Sequence, residues 1–123
     1  MTGFYMTDGC GLARANAASA KHLVDILVYM KTKSKYKSSF ESSLPVAGKT
    51  GTMRNIGKSK NLIGNLKAKT GTMTRIKSFA GYLKSASGKN LAFSIIVNNY
   101  NCTAEEVSRK IENIMSAMAS YNE

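Results

Sequence analysis

Lys69-Thr70-Gly71-Thr72 is a run in which each residue type suits the capture of a carboxylate and a developing oxyanion. Lys69 supplies a positive charge that attracts a carboxylate and stabilises nearby proton transfer. Thr70 offers a hydroxyl to the same carboxylate. At Gly71 the missing side chain lets a substrate lie along the backbone. The N–H of Thr72 can then point at charge that appears in the transition state. The same four letters recur at Lys49 to Thr52. Surroundings separate the two copies. The run at Lys69 closes a strand-like segment, Leu66 to Thr72, and precedes a hairpin. The run at Lys49 follows Pro45 and Gly48 and enters a polar loop. Side chains that must be held along a rigid edge need the first setting.

Other reactive residues are less well placed. Ser34-Lys35-Tyr36-Lys37 fits Ser-x-x-Lys, and Ser59-Lys60-Asn61 fits Ser-x-Asn. With 14 serines and 14 lysines in the chain, such strings arise by chance. A nucleophilic serine should open a buried helix with its lysine one turn along. Ser34 instead lies in a lysine run and Ser59 in a polar loop, so both are rejected as nucleophiles. His22, the single histidine, falls in an amphipathic helix and reads as structural rather than as part of a triad. Cys10 and Cys102 match no zinc spacing and read as free thiols. No base candidate accompanies Cys10. No metal or cofactor is expected.

The elements that must position Lys69 follow from periodicity. Residues 1–18 read as irregular, with a glycine-rich loop at Asp8 to Gly11. A helix is expected from about Ala20 to Lys31, capped by Ser19 and burying Leu23, Ile26, Leu27 and Met30. Thr32 to Ser43 reads as an exposed loop with a short turn around Phe40. Strands follow at Leu66 to Thr72, Ile76 to Lys84 and Leu91 to Asn98, with a hairpin turn at Ser85 to Lys89. The third strand is almost wholly apolar, so burial on both faces is expected. Thr103 and Glu106 form a capping box. Val107, Ile111, Ile114, Met115 and Met118 form the stripe of a last helix. The fold class is α/β: helix, long loop, three-stranded antiparallel meander, C-terminal helix.

Composition bounds the rest. A chain of 123 residues, 43% hydrophobic and 20% charged, holds one globular domain at most. No apolar run is long enough to span a membrane. Met1 to Met6 does not read as a signal peptide, so the chain is cytoplasmic or a piece of a longer exported precursor. A net charge of +11 suits an anionic partner or a plain solvated surface. No nucleic-acid signature accompanies it, and no such partner is expected.

Several segments in order resemble the C-terminal part of the D-alanyl-D-alanine carboxypeptidase/endopeptidase family, the low-molecular-mass class C penicillin-binding proteins. Asp8-Gly9-Cys10-Gly11-Leu12-Ala13-Arg14-Ala15-Asn16 resembles the family's Asp-Gly-Ser-Gly-Leu-Ser-Arg-x-Asn loop, with Cys10 and Ala13 in place of its serines. Leu44 to Gly48 with Gly51-Thr52 resembles its Leu-Pro-Val-Ala-Gly-x-x-Gly-Thr segment. Ala68 to Thr72 matches its active-site strand. Ala80-Gly81-Tyr82, Ser87-Gly88, Leu91 to Ser94 and Val97 to Asn99 match its final hairpin. The resemblance implies a portion of a serine beta-lactamase/transpeptidase-like domain, with residues 1–123 as a single partial domain. It implies Lys69 and Thr72 as catalytic residues and Thr70 and Gly71 as substrate-binding residues. It implies a periplasmic location, with a peptidoglycan peptide or a beta-lactam as partner of the complete enzyme. The Ser-x-x-Lys and Ser-x-Asn motifs of such an enzyme would lie upstream of the matched segments, so this chain alone is expected to be inactive. The other reading is a non-catalytic basic module that binds wall polymer or another anionic partner. Strands from upstream would also cover the last strand, so self-association through the edge of residues 91–98, as a homodimer or a domain swap, is expected.

Overall fold

The computed structural model describes residues 2–123. Its elements are α1 (Ala20–Thr32), α2 (Lys37–Ser43), β1 (Lys67–Met73), β2 (Ile76–Lys84), β3 (Asn90–Asn98) and α3 (Ala104–Ala119), with a 3-10 turn at Gly51–Met53. The strands form one antiparallel sheet in the order β1-β2-β3. The architecture is α/β with an antiparallel meander, as the sequence predicts, and the helices lie on both of its faces.

Register sets what each face carries. Ala68 pairs with Gly81, Lys69 with Ala80, Thr70 with Phe79 and Gly71 with Ser78. Gly81 in turn pairs with Phe93, and Ala80 with Ser94. Side chains alternate across a strand, so Ala68, Phe79, Leu83 and Phe93 share one face. There they form the main core with Val107, Ile111, Met115 and Ala119 of α3. The other face carries Ala80, Tyr82 and Ala92, which pack with Leu27 of α1, Phe40 of α2 and Leu44.

Both predicted helix starts are capped. Thr103 Oγ1 accepts the N–H of Glu106, whose carboxylate accepts the N–H of Thr103. Ser19 Oγ accepts the N–H of His22, and His22 Nδ1 accepts the N–H of Ser19. His22 is therefore structural, the returning arm of a capping box.

Four expectations need correction. In α1 only Leu27 is buried, and Leu23, Ile26 and Met30 stay half-buried. Thr32 to Ser43 is not all loop: α2 occupies Lys37–Ser43. A seven-residue polar helix is marginal in isolation. It forms here because Phe40 packs on the Leu27–Leu44–Tyr82 cluster and Glu41 meets two lysines. β3 is not buried on both faces, for only Phe93 reaches full burial and β3 is an edge strand. In α3 the buried line runs Val107, Ile111, Met115, Ala119, and Ile114 is 50% exposed. Steps of four residues advance the line around the helix and away from Ile114.

Candidate functional site

β1 carries Lys69 and Gly71 to the face covered by α1 and α2. There a groove of about 380 Å3 opens between the sheet and the two helices. Leu23, Ile26, Leu27, Phe40 and Leu44 form its apolar wall, and Lys69, Thr70, Gly71 and Ser78 its strand-side wall. Three of the four predicted site residues thus meet in one groove. Thr72, the fourth, is exposed and does not line it.

Lys69 is exposed, and its Nζ donates to the carbonyl of Thr70 at 2.6 Å. The ammonium makes no ion pair among the described residues. It stands beside an apolar wall, and a carboxylate entering the groove would meet a cation there. Gly71 has a second reason to lack a side chain: a Cβ there would collide with Ser78 Oγ, its cross-strand partner. Ser78 was not legible as a groove residue, because only the strand register brings it beside Gly71.

A network that sequence reasoning also missed joins both helices to the sheet. Glu41 of α2 accepts from Lys31 Nζ of α1 and from Lys67 Nζ of β1, the latter at 3.1 Å. Lys31 Nζ also lies 5.4 Å from the ring centre of Tyr82, whose hydroxyl donates to the Leu27 carbonyl at 2.6 Å. These bonds tie both helices to the sheet two residues before Lys69. The hydrogen bonds from Lys31 and then Lys67 hold the Glu41 carboxyl below its ordinary range. A carboxyl whose pKa is lower folded than unfolded stabilises the fold above its unfolded pKa, and the gain is lost as pH falls through the folded value. Glu41→Gln is expected to cost about 1–2 kcal/mol near neutral pH. In acid below the carboxylate range the variant and the wild type should unfold together. Urea melts at both pH values check this.

The other motif strings have structural work. Ser34 Oγ accepts the N–H of Tyr36 in the α1–α2 turn. Ser59 Oγ donates to Asn61, and the Asn61 amide donates to Ser116 of α3 and to Ser120, the residue that caps its end. That places Ser59 across the sheet from the groove. The second Lys-Thr-Gly lies in no strand. Thr50 Oγ1 accepts the N–H of Val46, and Gly51 opens the 3-10 turn at φ 51°.

Asp8 anchors the N-terminal loop. Its carboxylate accepts the N–H groups of Gly11, Leu12 and Ala13 and the amide of Asn16. The Asn16 bond first, then that of Cys10, lowers its pKa to about 2. This loop, with Arg14, flanks a hollow of about 560 Å3 beside Met73, Thr74 and Asn98. Cys10 and Cys102 are both free thiols. Among the described residues no helix is long and apolar enough to cross a membrane.

Known proteins match this chain along nearly its whole length. Residues 1–122 match the D-Ala-D-Ala carboxypeptidase 3 (S13) family. A D-alanyl-D-alanine carboxypeptidase of an Actinomadura species is 35% identical over 104 residues, which cover 80% of this chain and 19% of that protein. The D-alanyl-D-alanine carboxypeptidase DacB of Haemophilus influenzae is 33% identical over 98 residues, 78% of this chain and 20% of that protein. The chain thus spans about a fifth of the length of these curated relatives. The crystal structure of penicillin binding protein 4 from Haemophilus influenzae superposes with a TM-score of 0.84 at 28% identity, over 96% of this chain and 28% of that one. A second structure of that protein, complexed with a beta-lactam, gives 0.85 at 27% identity over 98% and 30%. The chain therefore belongs to the D-Ala-D-Ala carboxypeptidase 3 family and corresponds to a C-terminal part of it.

Proposed function

We propose that this chain is the Lys-Thr-Gly part of a serine-type D-Ala-D-Ala carboxypeptidase acting on peptidoglycan stem peptides, and that the nucleophile lies outside these 123 residues. The observation that carries this reading is the groove, where Lys69 and Gly71 face an apolar helical wall and Thr70 lies between them on the strand. Lys69 and Thr70 would bind the substrate's terminal carboxylate. The Thr72 N–H would stabilise the oxyanion of the tetrahedral intermediate. A serine held at the groove would attack the D-Ala-D-Ala carbonyl and form an acyl-enzyme, which water then cleaves. The groove's own serines do not fit that role. Ser43 and Ser78 line it, but the residues three positions on are Val46 and Gly81, not lysine.

The complete enzyme would act in the periplasm and take beta-lactams as substrate analogues. The chain alone is expected to show no carboxypeptidase activity and no covalent band with a fluorescent penicillin. A band that disappears in Ser34→Ala would overturn the assignment of the nucleophile to another segment. An in-frame Ser-x-x-Lys and Ser-x-Asn in the DNA upstream of Met1 would support it.

The alternative is a non-catalytic basic module binding wall polymer, favoured by the +11 charge. It predicts retention on purified wall polymer that is insensitive to Lys69→Ala. We also propose that two copies associate through the open edge of β3, which carries no charged residue from Asn90 to Asn98.

A further inference from the structure

The turn from α1 into α2 gathers lysines and exposed aromatic side chains. Between Ile26 and Phe40 there are four lysines and no acidic residue. Lys31 is turned inward onto Glu41 and Tyr82. Lys33, Lys35 and Lys37 are exposed and enter no ion pair among the described residues. Aromatic and apolar side chains stand among them. Tyr36 is 60% exposed, Tyr29 55% and Val28 45%. Tyr29 belongs to the tip, because its carbonyl accepts the N–H groups of both Lys33 and Ser34. Lys35 Nζ lies 5.0 Å from the ring centre of Tyr36.

The two tyrosines and a valine add exposed apolar surface directly beside these lysines. Tyrosine favours the headgroup level of a bilayer, with its ring in the apolar boundary and its hydroxyl in water. Lysine stems reach along the same boundary while the ammonium meets phosphate. We propose that the α1–α2 tip is a docking surface for an anionic lipid bilayer. Tyr29 and Tyr36 seat at headgroup depth, and Lys33, Lys35 and Lys37 lie against the lipid phosphates. Leu23, Ile26 and Leu27 of the same helix line the groove. The surface stands independently of any catalytic reading.

The test is cosedimentation of the purified chain with phosphatidylcholine vesicles, with and without phosphatidylglycerol. Binding is expected only with the anionic lipid. Each lysine near such a surface is worth about fivefold in partition, so the Lys33→Gln, Lys35→Gln, Lys37→Gln triple variant should lose roughly 100-fold. A second triple, Lys58→Gln, Lys60→Gln, Lys110→Gln, removes the same charge from other exposed positions. It should retain most of the binding. Tyr29→Ser with Tyr36→Ser should weaken binding that persists at high salt, where the lysines are screened. All changes are at exposed residues, and circular dichroism checks that each variant is folded. Equal losses in the two lysine triples would reduce the effect to net charge and overturn the proposal. So would tyrosine variants that bind like the wild type. Duplex DNA bound as tightly as the vesicles, and lost with the tip triple, would reassign the surface to nucleic acid.

Discussion

Gly81→Ala is expected to destabilise the fold by more than about 3 kcal/mol, a large share of the roughly 5–15 kcal/mol typical of a domain. A Cβ at this position would run into the Lys67 carbonyl and come within 2.7 Å of the Ala68 Cα. Both obstacles are backbone, so no rotamer change relieves them. β1 must move off β2 for the methyl to fit. That movement breaks the pairing of Ala68 with Gly81 and of Lys69 with Ala80, which positions Lys69 over the groove. It also opens the core where Ala68 and Phe79 are fully buried. Two other glycines calibrate the result. Gly88 has open space around its Cβ position but a φ of +81°, so Gly88→Ala should cost only about 1 kcal/mol from backbone strain. Gly71→Ala meets the Ser78 hydroxyl, a side chain that can rotate, so its cost in stability should be smaller than that at Gly81. Urea unfolding of the three variants gives the ranking. A Gly81→Ala chain as stable as Gly88→Ala would show that β1 is not held against β2 at this contact.

Local signals carried much of this fold in the sequence. The capping box at Thr103 and Glu106 is present with both arms, because its chemistry needs only two side chains three residues apart. Ser19 was legible as a cap for the same reason. Its returning arm was not, since an imidazole replaces the usual carboxylate or amide. The three strands and their hairpin turn followed from alternation and turn residues. What the sequence hid depends on contacts between distant segments. α2 exists because Phe40 and Glu41 find Tyr82 and Lys67, both more than twenty residues away. Ser78 joins the groove only through its register with Gly71. The apolar run of β3 was misread because composition cannot tell a central strand from an edge strand with one neighbour. The site splits the same way: Lys69, Thr70 and Gly71 were legible as a motif, whereas the helices facing them and the Glu41 clasp were not.

The open edge of β3 should make the chain dimerise. β2 pairs with β3 on one side only, and the sheet ends there. The devices that usually blunt such an edge are missing: Asn90 to Asn98 contains no proline and no charge. The other edge is protected. β1 carries Lys67 and Lys69, and the chain before it bonds along its start, with Ala68 N–H to the Pro45 carbonyl at 3.0 Å. Two β3 edges can pair antiparallel about a two-fold axis at Ser94, the middle of the strand. That register sets Leu91 opposite Val97 and Phe93 opposite Ile95, so the core face of one sheet continues into the next. Leu91, Ile95 and Val97 are only partly buried in the single chain and would gain cover. Nine paired residues give a ladder of about 30 Å, a small interface. A dissociation constant in the micromolar range, about 8 kcal/mol, is therefore expected. Light scattering over a concentration series should show the mass doubling, and the β3 amides should exchange more slowly as the dimer fills. Ile96→Lys places a charge on the edge at a position outside both buried clusters, so it should return the chain to a monomer without unfolding it. A wild-type monomer at high concentration would remove the edge as an interface. A dimer that Ile96→Lys leaves intact would place the interface elsewhere.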